Sequence, residues 1–361
     1  MNKGEWSEFY AFLKLLADGE LYGADGQLVR VEAWKYPVKS IVRENTNNDH
    51  LRFVIHPDLQ LVKIEYINHP ERQGAEVEQA AILQAAEDLL LQIKEVGTFT
   101  EATIQQFIED ILLPKIKAKN LDKTDISVVL HDINVGREQE FGFSIKSQLG
   151  GASTLLNAGQ ATNFIYEVVG FSELDAARRA EISEKKARSL VTALLNNGCS
   201  LNFVEVEHRF RKNLRMIDSR LDEISAHILR LYYSQDYLNA PLSKISDLAN
   251  NLETNDPLGF ASPEHRPYIY KIKQLLSALA LGLTPAATWT GIYDASGGYL
   301  IVKDDGSLVC YHLYNWNAFQ DYLFSHTSLD TPSTTRHLFG KLYQENGKDF
   351  IKLNMQIRFD L

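Results

Sequence analysis

Cysteine is scarce. The 361 residues hold only Cys199 and Cys310, too few for a disulfide framework or a four-thiolate zinc site, and a reducing cytoplasm fits that usage. A surplus of cations is missing as well. Lys and Arg number 37 against 47 Asp and Glu, for a net charge of −10. That balance argues against nonspecific nucleic-acid binding and leaves room for a local basic face. No apolar run approaches the roughly 18 residues of a membrane span. The opening MNKGEWSEFYAFLKLLADGE carries acids inside its apolar stretch and does not read as a secretory leader. Internal repeats and low-complexity segments are absent too. What is present is a globular composition, 45% hydrophobic and 23% charged, sized for one large or two modest domains.

Patterning along the chain predicts a mixed α/β protein. Phe9, Phe12, Leu13 and Leu16 recur at helical spacing over 4–17, and Asp18-Gly19 ends that helix. Residues 21–50 read as loop-rich, and 51–67 as two strands around Pro57-Asp58. Helices are expected at 74–96 and 100–118. ISVVLHDI (126–133) and EFGFSIKS (140–147) read as strands joined by a turn, with a helix following over 153–168. Further helices are expected at 173–197, 203–233, 241–253 and 265–282. SGG and DDG mark hairpins in the tail, and 349–359 alternates as a final strand. The expected division is a core over 1–170 made of a mixed sheet flanked by helices, a helical region over 171–285, and a β-rich region over 286–361 suited to recognition.

The chemistry concentrates in the two central strands. Asp132 ends the first, and Lys146 lies fourteen positions later in FSIKS. A strand-end acid followed by an x-x-K strand is the pattern of metal-dependent phosphodiesterases of the PD-(D/E)XK type. Phosphodiester hydrolysis calls for a hard divalent cation held by oxygen, which lowers the pKa of its water and offsets transition-state charge. A lysine beside it orients the water or holds phosphate as a compact charge. Ser144 stands where such a motif carries Asp or Glu. The Ile145 carbonyl remains a metal ligand that needs no particular side chain. Glu8, one turn after Glu5 on the first helix, is a candidate for the missing carboxylate, and Gln160 a weaker neutral oxygen donor. After Lys146, SQLGGASTLLNAGQATNF offers Ser153, Thr154 and Asn157 to phosphate oxygens. A solvated cross-strand ion pair and acids complementing a helix dipole are the plainer readings of the same residues.

MNKGEWSEFYAFLKLLADGELY, GFSIKSQLGGASTLLNAGQATNFIY and the tail from LYNWNAFQDYLF through TPSTTRH to IKLNMQIRF resemble type II restriction endonucleases of the HpaII family. The resemblance spans most of the chain. It implies a bacterial, Mg²⁺-dependent endonuclease that cuts double-stranded DNA at a short palindrome, CCGG for enzymes of this kind. It makes Asp132 the metal ligand, Lys146 the catalytic lysine, and Glu8 a match to the helix-borne acid of many such nucleases. Products would carry 5′-phosphates, and a palindromic target would suit either a homodimer or sequential nicking by a monomer.

Reading G·C pairs favours Arg or Lys on guanine. Arg209, Arg211, Lys212 and Arg215 form a local basic patch, and TPSTTRH (331–337) with Lys341 and Arg358 forms a second candidate, led by Arg336 and His337. The alternatives are a solvated helix face for the first and an Arg336–Asp330 ion pair for the second. Two other functions stay open at this level: a repair or junction nuclease on the same scaffold, and a noncatalytic DNA-binding protein that has lost the acid at 144.

Overall fold

A computed structural model describes residues 3–44, 50–95, 102–113, 124–132, 136–234, 242–260, 262 and 264–360. The chain opens with α1 (Lys3–Asp18), β1 (Glu20–Ala24), β2 (Arg30–Glu44), β3 (His50–His56), β4 (Leu61–Tyr66) and β5 (Ala75–Glu78). It continues through α2 (Gln79–Lys94), α3 (Ala102–Asp110), β6 (Ile126–Asp132) and β7 (Arg137–Ser147). The middle holds β8 (Thr154–Leu156), β9 (Asn163–Val169), α4 (Ala176–Ser183), α5 (Ala187–Asn196), β10 (Ser200–Val206) and α6 (His208–Ile217). After these come α7 (Leu221–Tyr233), α8 (Ile245–Asn255) and α9 (Pro267–Leu281). The tail holds β11 (Gly298–Val302), β12 (Leu308–His312), α10 (Trp316–Ser325), β13 (Thr327–Asp330), α11 (Thr334–His337), β14 (Leu342–Glu345), β15 (Lys348–Asn354) and β16 (Gln356–Phe359). Among the described residues no helix is long and apolar enough to cross a membrane.

Two compact units result. The first takes the chain up to Ser153 together with Tyr293–Tyr322, and the second takes Thr154–Ile292 and Leu323–Asp360. The first unit is built on a nine-stranded sheet in the order β1-β12-β11-β7-β6-β2-β3-β4-β5. Helix α1 lays Trp6, Phe9, Phe12, Leu13 and Leu16 into the same core as Phe53, Phe143 and Ile145 of the sheet. Phe12 meets Phe53 edge-on at 4.9 Å. Each such fully buried side chain contributes about 1.5–3 kcal/mol. Gly19, at φ +65°, stops α1 in the left-handed conformation while its N–H still bonds the Leu15 carbonyl. The second unit carries the antiparallel sheet β10-β9-β15-β14 and the small sheet β13-β16-β8. Asn354, fully buried, ties β15 to the β8–β9 connection by donating to the Gly159 carbonyl and Asn163 Oδ1, each at 2.7 Å.

Several expectations need correction. The expected loop-rich stretch over 21–50 is mostly strand in its described part up to Glu44: β1 and the long β2 occupy most of it, with Tyr36 and Val38 buried on alternate positions; residues 45–49 lie outside the described residues. The α-helix expected over 153–168 is absent, the segment holding β8, a 3-10 turn and β9 instead. NFIYEVV buries Phe164, Tyr166 and Val168 at period two and forms β9, as aromatic and β-branched residues favour. The segment 203–206 belongs to β10, so the long helix expected over 203–233 is two helices after a strand. The 286–361 region is divided rather than one piece, because β11 pairs in parallel with β7 of the first unit while β15 pairs with β9 of the second.

Candidate active site

Strands β6 and β7 pair antiparallel, with Ile126 opposite Phe143 and Asp132 opposite Arg137. This register corrects the expected site. Asp132 lies at the turn end of the hairpin, nine positions along β7 from Lys146 and thus ~30 Å away at 3.3 Å per residue. The acid that meets Lys146 is Asp125, which precedes β6.

Strand order explains why. Past Phe143, β7 keeps β11 on one side, with Gly298 through Val302 opposite Phe143 through Ser147. On the other side β6 has ended. There the Asp125 carboxylate stands in for a strand: its Oδ2 accepts the Ile145 N–H at 2.7 Å and the Ser144 hydroxyl at 3.1 Å. Within a strand a residue's N–H and C=O point the same way, so the Ile145 carbonyl faces this open edge too. The Asp125 N–H donates to the Phe143 carbonyl at 2.9 Å, and the Thr124 hydroxyl bonds the Asp294 carbonyl at 3.0 Å. Gly142 permits that approach, since a Cβ there would sit 2.7 Å from the Thr124 methyl.

Side chains alternate along β7. Ile145 is buried in the core, whereas Ser144 and Lys146 share the opposite face. Lys146 Nζ donates to Ser144 Oγ at 3.1 Å, completing a chain from ammonium to hydroxyl to carboxylate. The Tyr299 ring of β11 lies with its centroid 5.2 Å from Nζ. Burial lowers the Lys146 pKa, opposed by the negative charges of Asp125 and Glu8. Glu8 comes from α1 and also faces Arg43 of β2, whose guanidinium lies 5.1 Å from the Phe12 ring. Burial holds Arg43 down at about 10 despite Glu8. One carboxylate, one hydroxyl, one main-chain carbonyl and a lysine of weakened basicity therefore gather at one sheet edge, with the Glu8 charge acting on the same lysine.

Among the described residues no three His, Cys, Asp or Glu side chains cluster as a metal cage. A cation at this edge would rely on Asp125, Glu8, the Ile145 carbonyl and water. That donor set fits Mg²⁺, which keeps several waters and takes one or two carboxylates.

The remaining sequence candidates fall elsewhere. Gln160 is exposed on a 3-10 turn of the second unit, not on a helix after β7. Ser153 closes the first unit's long segment; Thr154 opens β8 opposite Arg358, and Asn157 is exposed. In the basic patch Arg211 and Arg215 both bond Asp222, whose carboxylate is fully buried, at 2.9 Å, and Arg209 bonds the Ala286 carbonyl. Among the described residues, only Lys212 of that set is exposed without such a tie. Asp330 pairs with Arg358 at 3.2 Å rather than with Arg336. Arg336 and Lys341 are exposed, and His337 lies half-buried at the end of α11.

Asp125 is the residue that sequence reading missed. Its signal was available in KTDIS: in an antiparallel hairpin the acid that meets the far end of the second strand must precede the first.

Residues 2–359 match the HpaII restriction endonuclease family. The type II restriction enzyme HpaII of Haemophilus parainfluenzae is 40% identical over 363 residues, covering 99% of this chain and 98% of that protein. No solved structure matches the chain. With the match running through both units, this chain belongs to the HpaII restriction endonuclease family and is a type II site-specific endonuclease.

Proposed function

We propose that the enzyme hydrolyses both strands of duplex DNA at a short G·C-rich palindrome, CCGG, with Mg²⁺ as cofactor, on a PD-(D/E)XK-type core. The single observation carrying this reading is the chain Lys146–Ser144–Asp125 on the open edge of β7, with Glu8 acting on the same lysine. Asp125, Glu8 and the Ile145 carbonyl would hold the cation. Bound there, Mg²⁺ supplies a water of lowered pKa and offsets charge on the phosphoryl oxygens.

The protein's own groups do the rest. Lys146, its basicity weakened by burial, aligns the attacking water or the phosphate. Ser144 takes a hydrogen bond from Lys146 and gives one to Asp125, so it fixes both although it contributes no charge. Hydrolysis with the 3′ oxygen as leaving group yields 5′-phosphate and 3′-hydroxyl ends. The palindrome's two-fold symmetry favours a homodimer that presents one site to each strand. Exposed Arg336 and Lys341, together with His337, Arg209 and Lys212, are the candidate DNA contacts, and the cytoplasm is where such DNA is met.

Plasmid digestion with Mg²⁺ against an EDTA control, followed by sequencing of the ends, tests all of this. Discrete fragments with 5′-phosphates at CCGG support it. Cleavage in EDTA removes the metal, and ends at another sequence remove the target. Arg336→Ala is expected to cost about 1–3 kcal/mol of discrimination per lost base contact.

A further inference from the structure

One row of α7 is polar where its surroundings are buried. Glu223, His227 and Arg230 follow at spacings of four and three, on one helix face, while Ile224, Ala226, Ile228 and Leu229 are buried. The row borders a cleft of about 390 Å³, whose other walls include Tyr166 of β9, Asn202 of β10 and Arg211 of α6. All of these residues belong to the second unit.

The charges around the cleft do not balance. Asp222 is shared by Arg211 and Arg215, and Glu223 is held by Arg220 at 2.6 Å. Of the residues that line the cleft, two guanidinium groups, Arg211 and Arg230, thus meet one carboxylate, Glu223, which Arg220 already holds. Among the described residues no acid lies within ion-pair distance of Arg230; its Nη2 instead sits 3.4 Å from His227 Nδ1. Burial first, then the Arg230 charge, pushes His227 down to about 4, with Arg220 adding to the effect and Glu223 opposing it. The imidazole is therefore neutral at pH 7 beside an uncompensated cation.

We propose that this cleft binds a phosphate group through Arg230, Arg211 and His227. Two guanidinium groups and an imidazole offer more donors than the two oxygens of a carboxylate can take up, and a phosphate accepts from several directions at once. The phosphate is that of a DNA backbone or of a free nucleotide, and the test separates the two. The inference does not depend on the active-site assignment, because its readout is binding without cleavage.

The experiment is an NMR titration of the histidines in the full chain, in EDTA, with His227→Gln identifying the resonance. The probes are inorganic phosphate, dCMP and a duplex lacking any palindrome. A bound phosphate should raise the His227 pKa by about one unit. Arg230→Gln should weaken phosphate binding about tenfold or more, with Arg230→Lys retaining most of it. A response to phosphate and duplex supports a backbone site; a response to phosphate and dCMP but not to duplex supports a nucleotide site. An unmoved His227 with all three probes, or equal phosphate affinity in the wild type and Arg230→Gln, overturns the proposal.

Discussion

Exchanging Asp125 for asparagine tests the site most sharply, with Asp132→Asn as its companion. The amide oxygen introduced in Asp125→Asn can still accept the Ile145 N–H, so the hydrogen bond of 2.7 Å survives and folding stability should fall by about 1 kcal/mol or less. What disappears is a negative charge. Glu8 is then the remaining acid acting on Lys146, and a cation at this edge loses one of two carboxylates. Charge stabilisation by a bound metal is worth several kcal/mol. Losing about 3–4 kcal/mol of it slows cleavage roughly 10²- to 10³-fold. A second effect has a definite sign. Asp125 supports the protonated form of Lys146, so its removal lowers the lysine pKa further. Any alkaline limb of the rate profile that reports Lys146 deprotonation should then move to lower pH. Single-turnover cleavage across pH, alongside a thermal melt, measures both. Asp132→Asn should leave cleavage nearly unchanged. A fully active Asp125→Asn protein beside an inactive Asp132→Asn protein would refute the register argument outright.

Three further outcomes follow from features of the two units. Asp222→Asn should destabilise the protein by about 2–3 kcal/mol in urea. That is less than the about 3–5 kcal/mol of a fully buried pair, because Arg211 and Arg215 are 35% and 43% exposed; no change would mean the ion pairs are ornamental. Gly306→Ala should cost about 1–3 kcal/mol, since φ is +93° and the new Cβ would sit 2.4 Å from Leu90 Cδ2; an unshifted Tm would contradict this. His227 gives the pH dependence. Its folded pKa of about 4 lies below the ordinary 6.5, so its contribution is fully present above pH 6.5. As pH falls the unfolded chain takes the proton first, and stability declines until about pH 4. After discounting for exposure to solvent the decline is about 1–2 kcal/mol, and His227→Gln should flatten it in denaturant melts from pH 7 to 4.

Local pattern was readable where one side of an element meets a core. Helix α1 and the β6–β7 hairpin follow from apolar spacing, since Phe9, Phe12 and Phe143 bury where period predicts. The placement of Lys146 and Glu8 within electrostatic reach of each other has the same origin: each stands on an element whose face is fixed by its buried neighbours. Asp125 was not, because it lies just before β6 and its partner depends on strand direction, which hydrophobic period does not encode. β9 was hidden differently. In NFIYEVV the short, mostly apolar run broken by Glu167 reads as the end of a helix over 153–168, and pairing with β10 and β15 makes it a strand. The sharing of Asp222 by Arg211 and Arg215 joins α6 to α7, so a basic cluster in the sequence became mostly internal neutralisation.

The order in which the chain is made bears on β11. This strand supplies the Tyr299 ring beside Lys146 and is the strand that pairs with β7 at that point among the described residues, yet it is translated after the whole segment 154–292. At 5–20 residues per second, on the order of ten seconds separates the synthesis of Lys146 from that of Tyr299. Throughout that interval the nascent first unit has an unfinished sheet edge where its lysine should be held. A chain ending before residue 298 lacks the strand that pairs with β7 at Lys146, and it is expected to show no cleavage in a plasmid assay.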